Sequence, residues 1–341
     1  MGLWPNGSNL RGKGEPGAMG QHDGADVTGP SPKRVVSLLA SATELVCALG
    51  AGHWLVGRSH ECDHPSWVKG LPAVSRPTFD TAGSSPEIDE RVRTRLLAGQ
   101  PLYEVDHAAL MALAPDVLIT QTHCEVCAVS PADLAHGPAP RWVGEQVVAL
   151  RTGSLDDVLT GFLDVARVLN LVSAGEALVS NLRRRMAGVA DRTRSLSRPS
   201  VLCLEWIDPV FAMGNWGPEL VELAGGACSL GTPGVHSRAT AWDAVCEADP
   251  EVLVVAPCGF DVDRTAAEMH LLAERPGWAQ LRAVRSSQVF IADGNIYFNR
   301  SGPSLFDTPR ILAEMLHPER FAPDHRFSTW VRLLRPALRM G

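Results

Sequence analysis

Two short segments rich in histidine and cysteine hold the side chains of this sequence that are best suited to chemistry. The first reads His60-Glu-Cys-Asp-His64 and the second reads His123-Cys-Glu-Val-Cys127. Thiolates and imidazoles separated by a turn are the ligands that zinc and similar metals prefer, and Cys-x-x-Cys is the usual half-site. A metal that is already chelated is a second candidate, because its open axial position accepts one such donor. The predicted metal ligands are His60, Cys62, His64, His123, Cys124 and Cys127.

Two other interpretations of these segments stay open. The residues are equally compatible with the rim of a ligand pocket in which no side chain bonds a metal. A redox dithiol at Cys124 and Cys127 is disfavoured, because Glu125 between the thiols raises their pKa and no adjacent cation activates them.

A second group of residues consists of aromatic side chains at predicted loop positions in the second half of the chain. Aromatic rings hold large, flat, apolar ligands because they offer contact area at little cost in conformational entropy. We expect them to line one pocket: Trp206, Phe211, Trp216, Phe260, Tyr297 and Phe298.

Several functional classes are excluded by composition and by missing motifs. The net charge of −7 argues against nucleic acid as the main partner. No apolar run reaches the ~18–20 residues of a membrane span. A phosphate-binding glycine loop, a nucleophile elbow and a convincing pair of acid and base carboxylates are all missing, so the sequence predicts a protein that is not an enzyme.

The first 33 residues are dominated by Gly, Pro, Asn and Asp and contain no apolar segment of a signal peptide. We therefore expect a disordered leader and a cytoplasmic location. In that compartment the eight cysteines are expected to be reduced.

The elements that position these residues repeat across the chain. An apolar strand followed by a helix occurs near residue 34 and again near residue 200, and Pro-Asp-Val-Leu at 115–118 is echoed by Pro-Glu-Val-Leu at 250–253. Short, continuously apolar strands are typical of parallel sheets. In such sheets ligands gather at the carboxyl ends of strands, so the polar segments should face one crevice.

Two helices are predicted between the repeats. Ser154-Leu-Asp-Asp157 and Ser173-Ala-Gly-Glu176 are capping signatures, and the second opens a helix of roughly 28 Å that braces two lobes. A further helix is expected over 88–98. The predicted division is a leader at 1–33, a first lobe at 34–153, connecting helices at 154–197, a second lobe at 198–321 and a helical tail at 322–341.

These residues resemble the family of cobalamin and iron-siderophore binding proteins, the solute receptors of ABC importers. The resemblance rests on Ser37-Leu-Leu-Ala-Ser-Ala-Thr-Glu44, on Leu113-Ala-Pro-Asp-Val-Leu-Ile119 and on Trp216-Gly-Pro-Glu-Leu-Val-Glu-Leu-Ala-Gly-Gly226. It implies an α/β fold of class III type: two lobes, each with a central, mostly parallel sheet flanked by helices, joined by a long rigid helix. The cysteine-bearing loops look closest to the subgroup labelled cobalamin-binding.

The resemblance also implies a function. A monomer would capture a corrinoid or another metal chelate in the crevice and present it to an ABC permease, whose docking carboxylates would correspond to Asp243 and Glu125. Family members are extracytoplasmic, which is the alternative to the cytoplasmic location. The alternative function is a cytoplasmic metal-handling or thiol-redox protein that uses the histidine and cysteine cluster, with zinc or another transition metal bound.

Overall fold

A computed structural model of the chain describes residues 31–123, 126, 128–135, 146–324 and 328–334. The predicted leader therefore lies almost wholly outside the described residues, as do Cys124, Glu125 and Cys127. The described strands, numbered in chain order, are β1 Val35–Ser37, β2 Leu55–Arg58, β3 Ser75–Pro77, β4 Tyr103–Val105, β5 Val117–Gln121, β6 Gln146–Leu150, β7 Ser200–Trp206, β8 Phe211–Ala212, β9 Ala227–Cys228, β10 Arg238–Ala239, β11 Val252–Val255, β12 Val289–Ala292 and β13 Trp330–Leu333. The described α-helices are α1 Ala40–Ala48, α2 Ser85–Leu97, α3 His107–Ala112, α4 Pro131–Ala135, α5 Leu155–Val168, α6 Val172–Thr193, α7 Gly217–Leu223, α8 Trp242–Ala248, α9 Val262–Glu268, α10 His270–Ala273, α11 Arg282–Arg285 and α12 Thr308–Leu316.

The first lobe is built on a parallel sheet in the order β2-β1-β5-β6. Its two central strands, β1 and β5, are buried along their whole length, which is why they read as continuous apolar runs. Helix α1 packs against this sheet and buries most of its residues.

The second lobe is built on a mixed sheet in the order β10-β8-β7-β11-β12-β13, with β9 beside β7. Strands β7, β11 and β12 run parallel, and β8, β10 and β13 pair antiparallel at its two ends. The described part of the predicted helical tail is the strand β13 instead. Trp330 is buried against the ring of Phe290, and the backbone of β13 satisfies the open edge of β12, so an extended conformation is favoured there.

Two consecutive helices connect the sheets. Ser154 caps α5 as predicted: its side chain accepts from the N–H of Asp157, whose carboxylate accepts from the N–H of Ser154. The expected cap at Ser173 is wrong, because α6 begins at Val172 and no side chain caps it. Val179 and Leu182 on α6 are buried in a core that also includes β1, β7 and α12. The fold is thus α/β, with two lobes joined by a long helix.

An additional segment, residues 75–105, projects from the first lobe. Strands β3 and β4 pair antiparallel as its stem, and α2 forms its outer part. The helix expected over 88–98 begins earlier, at Ser85, because Ser84 and Glu87 form a capping box. Across the described residues, no helix is both long and apolar enough to cross a membrane.

Candidate functional site

The carboxyl ends of the strands bring polar residues from both lobes to one crevice. His60 and Glu61 follow β2, Glu205 lies at the end of β7, and Cys258 follows β11. The two lobes approach each other here. The carboxylate of Glu61 in the first lobe is near enough to the Cys258 thiol in the second lobe to contribute to its raised pKa. This is the placement that sheets with parallel central strands predict for a ligand site.

The imidazole of His60 is held in place and is neutral. Its Nδ1 atom lies 2.9 Å from Oγ of Ser75, and its ring centroid is 5.3 Å from that of Tyr103. Burial, assisted by the charge of Arg58, lowers the pKa of His60 to about 4. Its Nε2 atom is 4.0 Å from a carboxylate oxygen of Glu61. A neutral imidazole with one nitrogen fixed by a neighbour is the form in which histidine bonds a metal.

The imidazole of His123 joins the two lobes. Its Nε2 atom is 3.0 Å from Oδ1 of Asn215, and its ring centroid lies 5.5 Å from that of His236 and 6.5 Å from that of Trp216. Burial lowers the pKa of His123 against the effect of the Asn215 hydrogen bond. Asn215 thus engages Nε2 of His123, as Ser75 engages Nδ1 of His60.

The crevice floor, which we define as Glu61, Tyr103, Glu205 and Cys258, is a cluster of weakly acidic groups. Burial raises the pKa of both Glu61 and Glu205 to about 7. Burial and the nearby carboxylates of Glu205 and Glu61 raise the pKa of Cys258. The Glu61 side chain is still 42% exposed. Protein atoms surround it on several sides, while the crevice leaves it open to solvent. At neutral pH each carboxyl group is near half-ionisation, so the floor offers both hydrogen-bond donors and acceptors.

Three residues of the first predicted segment turn away from the floor. Cys62 is fully buried in the main core, where its sulfur accepts from Oγ1 of Thr43 at 3.0 Å. Asp63 bonds Arg300 at 2.8 Å and Asn295 at 2.9 Å, so it ties the lobes together. His64 lies near Glu44, whose pKa it helps to lower against the larger effect of burial. The structure corrects the prediction for Cys62, because a buried thiol is not accessible to a metal in the crevice.

The described residues of the predicted metal cluster, His60, Cys62, His64 and His123, therefore do not form one site. Within the described ranges, no group of three or more His, Cys, Asp and Glu side chains is arranged to hold a metal ion. Cys124 and Cys127 lie outside those ranges, and their part of the prediction stays a prediction.

The six aromatic residues divide into two groups. Phe260 and Phe298 are 2% and 0% exposed, and Trp216 is 6% exposed with its Nε1–H donating to the carbonyl of Phe298. These three serve packing, which corrects the expectation that all six line a pocket. Partly exposed rings remain at Trp206, Phe211 and Tyr297.

Comparison with known proteins agrees with this architecture. The profile of a family described as periplasmic binding protein matches residues 35–296. The chain belongs to the periplasmic binding protein family. An uncharacterised ABC transporter substrate-binding lipoprotein of Bacillus subtilis, YvrC, is 20% identical over 301 residues, which cover 85% of this chain and 82% of that protein.

Solved structures show the same fold. A periplasmic heme binding protein from Pseudomonas aeruginosa is 23% identical with a TM-score of 0.64, covering 90% of this chain and 97% of its own. The vitamin B12 binding protein BtuF of Vibrio cholerae is 19% identical with a TM-score of 0.59, covering 84% and 97%.

Membership in this family bears on location and partner. The two solved relatives are described as periplasmic and the Bacillus protein as a lipoprotein, so the cytoplasmic location expected from the sequence finds no support. A solute-binding protein of an ABC importer implies a permease partner. Asp243 is exposed in the first turn of α8, and Glu125 lies outside the described residues.

Sequence reasoning missed most of the crevice floor of this periplasmic binding protein. Glu61 stands between two residues that were chosen as ligands, and Glu205 directly precedes Trp206. The signal was available, because both residues stand at or just after the carboxyl end of a strand. The prediction selected cysteine and histidine as metal ligands and therefore passed over the glutamates beside them.

Proposed function

We propose that this chain is the solute receptor of an ABC importer for a corrinoid, captured without chemical change in the crevice between the lobes. The family supports a solute-binding role, and its solved members include proteins described as binding vitamin B12 and heme. The crevice is the site of capture because both lobes contribute polar groups to it. The receptor would act outside the cytoplasm and dock on a permease, with Asp243 as one docking carboxylate.

The observation that favours a corrinoid is the chemistry of the crevice floor. Glu61 and Glu205 both lie near enough to Cys258 to raise the pKa of its thiol, and each carboxyl group is near its point of half-ionisation at pH 7. A ligand edge with carboxylates, such as the propionates of heme, would bring further negative charge to these groups. The carboxamides at the edge of a corrinoid are neutral and pair with carboxyl groups as donors and acceptors.

Two cations of the crevice are engaged by the protein itself. Arg300 bonds Asp63, and Arg58 donates to the backbone carbonyls of Ser59 and Leu71. Neither of them is therefore set aside for a carboxylate of the ligand. Arg238 is exposed and follows Ser237, whose side chain hydrogen bonds Glu205, so the titration below must include a carboxylate-bearing ligand.

His60 is the candidate donor to the cobalt. Its imidazole is neutral, Ser75 fixes Nδ1, and Nε2 lies on the side of Glu61. The exposed His53, in the short turn between α1 and β2, provides a matched control because its ring contacts Trp54 and none of these groups.

The test is a titration of the purified protein with aquocobalamin, haemin and a ferric hydroxamate. We expect aquocobalamin to bind most tightly, with a change in its visible absorption as the axial water is replaced. His60→Ala should remove the spectral change and weaken binding about tenfold or more, whereas His53→Ala should do neither. Tighter binding of haemin or of the hydroxamate would overturn the corrinoid assignment.

The alternative, a metal-handling or thiol-redox protein, is less well supported. Both activities need accessible thiolates. Each of the six described cysteines has a raised pKa, and burial is the largest cause in every case.

A further inference from the structure

The projecting segment of the first lobe, residues 75–105, is hereafter called the arm. Both ends of its stem lie at the crevice. Oγ of Ser75, the first residue of β3, is hydrogen bonded to His60. The ring of Tyr103, the first residue of β4, lies tilted against the same imidazole, with the ring centroids 5.3 Å apart. Tyr103 is also one of the groups of the crevice floor, with Glu61 and Cys258 contributing to its raised pKa after burial. The arm therefore leaves the first lobe beside the candidate ligand site.

The tip of the arm crosses to the second lobe. The backbone N–H of Ser85 donates to the carboxylate of Glu268 at 2.8 Å, and the guanidinium of Arg264 donates to the carbonyl of Gly83 at 3.2 Å. Both partners lie on α9 of the second lobe. Arg264 is itself fixed, since its guanidinium lies 3.8 Å above the ring of Phe260, two residues after Cys258.

The contact with Glu268 is favourable for three physical reasons. Ser85 is the first residue of α2, so its N–H is one of the donors that a helix leaves unpaired. The carboxylate lies at the positive end of the helix dipole. Ser85 is fully buried and Glu268 is 8% exposed, so water competes little for the hydrogen bond.

The rest of α2 is held weakly. Ser85 is the single residue of this described helix that is buried, and Leu97 at its other end is 90% exposed. Burial and, to a smaller extent, the Asp208 carboxylate of the second lobe raise the pKa of Asp89, so the helix faces that lobe. Val92, which is half-buried, packs against the core of the first lobe. Segments with few buried contacts open locally at low free-energy cost. The position of the arm thus depends on its stem, on Val92 and on its tip.

We propose that the arm is a clasp across the crevice, fastened to α9 by Ser85 and Glu268, which must release before a ligand enters or leaves. The crevice alone is enough to capture a ligand, and the clasp would control access to it. This proposal rests on the proposed function, because a clasp has a role only if the crevice binds a ligand. Its release leaves the stem in place, since the bonds from Ser85 and Gly83 to α9 lie at the tip.

Two substitutions at one position isolate the fastening bond. Ser85→Pro removes the N–H that Glu268 accepts, yet proline is well tolerated at the first position of a helix. The preceding Ser84 has φ −75° and ψ 162°, the extended conformation that a following proline requires. Ser85→Ala is the matched control, because it keeps the N–H and removes a hydroxyl that has no hydrogen-bond partner.

The first measurement is peptide-resolved hydrogen exchange of the free protein. We expect the amides of residues 78–100 to exchange about tenfold faster or more in Ser85→Pro and in Glu268→Ala, with Ser85→Ala like wild type and the sheets unchanged. Unchanged exchange in both variants would overturn the proposal. Faster exchange throughout the protein in both would overturn it as well, because the contact would then belong to the global fold.

The second measurement reports access to the crevice without any ligand. Cys258 is exposed to solvent with the clasp fastened, so only a reagent too large for the remaining opening reports the release of the arm. Alkylation of Cys258 by a bulky maleimide, followed by mass spectrometry, should accelerate in Ser85→Pro, whereas Cys246 on α8 should react at its wild-type rate. An unchanged rate at Cys258 would show that the arm does not cover the crevice. Because neither measurement uses a chelate, failure of aquocobalamin binding would count against the proposed function and leave the clasp standing.

Discussion

At the scale of the residue, Glu61 and Glu205 couple the chemistry of the crevice to pH. Burial raises both carboxyl pKa values from 4.5 to about 7. The folded protein therefore binds more protons than the unfolded chain between these two pH values. Stability attributable to these groups is present below pH 4.5 and is lost as the pH rises through about 7.

Replacing either carboxyl group with an amide should remove this dependence. We expect Glu61→Gln and Glu205→Gln to raise the melting temperature at pH 8 by on the order of 1–2 °C and to leave it unchanged at pH 5. Differential scanning calorimetry at the two pH values measures the effect. Glu90→Gln, on the exposed face of α2, is the control and should change neither value. Equal shifts at both pH values would mean that the gain is unrelated to ionisation.

Cys62 illustrates how a suitable residue type can be placed for packing. Its thiol interacts with Thr43 and with Ser59, and it is fully buried. We expect Cys62→Ala to lower the free energy of unfolding by about 1–3 kcal/mol, because it leaves the buried Thr43 hydroxyl without this partner. Urea denaturation measures that loss. The affinity for aquocobalamin should not change. A weaker affinity in a folded Cys62→Ala protein would mean that Cys62 takes part in ligand binding.

At the scale of the element, the sequence predicted structure where local signals are strong. The cap at Ser154 follows from its capping residues, and apolar runs predicted the buried strands β1, β5, β7 and β11. The long helix α6 follows from its apolar stripe, although its predicted cap is wrong. The tail was misjudged because pairing with the edge of β12 decides the conformation of 330–333, and that partner lies about 40 residues earlier in the chain. The docking of the arm on α9 joins residues 183 positions apart, which no local pattern reports.

The connecting helix α6 gives a test of how the lobes depend on each other. Leu182 is 2% exposed in the core shared by both sheets. Leu182→Pro should cost ~3 kcal/mol or more and lower the urea midpoint of both lobes together. Arg184→Ala, at an exposed position of the same helix, should have a small effect. Hydrogen exchange read separately for β5 and for β11 distinguishes the outcomes, and loss of protection in one sheet alone would refute the role of α6 as a common brace.

At the scale of the whole molecule, the crevice could be foreseen and its lining could not. The parallel strands of both sheets end at one crevice. The expectation that ligands bind at such strand ends correctly placed His60 and His123 there. Whether a side chain after a strand turns toward the crevice or the core depends on packing partners elsewhere. In the segment 60–64, Cys62 contacts Thr43 in the core and Asp63 bonds Arg300 at the junction of the lobes. Glu61 of the same segment belongs to the crevice floor.

The junction between the lobes is polar, and its central pair should be stronger than an ordinary surface ion pair. Arg300 is 8% exposed, and its guanidinium bonds Asp63 at 2.8 Å and Asn295 at 2.8 Å. Burial alone would raise the pKa of Asp63, but Arg300 and Asn295 together hold it below its usual value. The stability from this pair is therefore present above about pH 4 and lost as the pH falls through the folded pKa.

Arg300→Met should therefore destabilise the protein at pH 7 by about 2 kcal/mol or more, because it leaves a partly buried carboxylate without its cation. The double-mutant cycle with Asp63→Asn isolates the pair from other effects of each change. The control cycle uses Arg282→Met and Asp249→Asn, an exposed pair at 3.1 Å within the second lobe, which should couple by less than about 1 kcal/mol. Because Asp63 and Arg300 come from different lobes, Arg300→Met should also increase the radius of gyration in small-angle X-ray scattering, and the control should not. A coupling energy no larger than that of the exposed pair, with unchanged scattering, would mean that helix α6 and apolar packing alone hold the lobes in register.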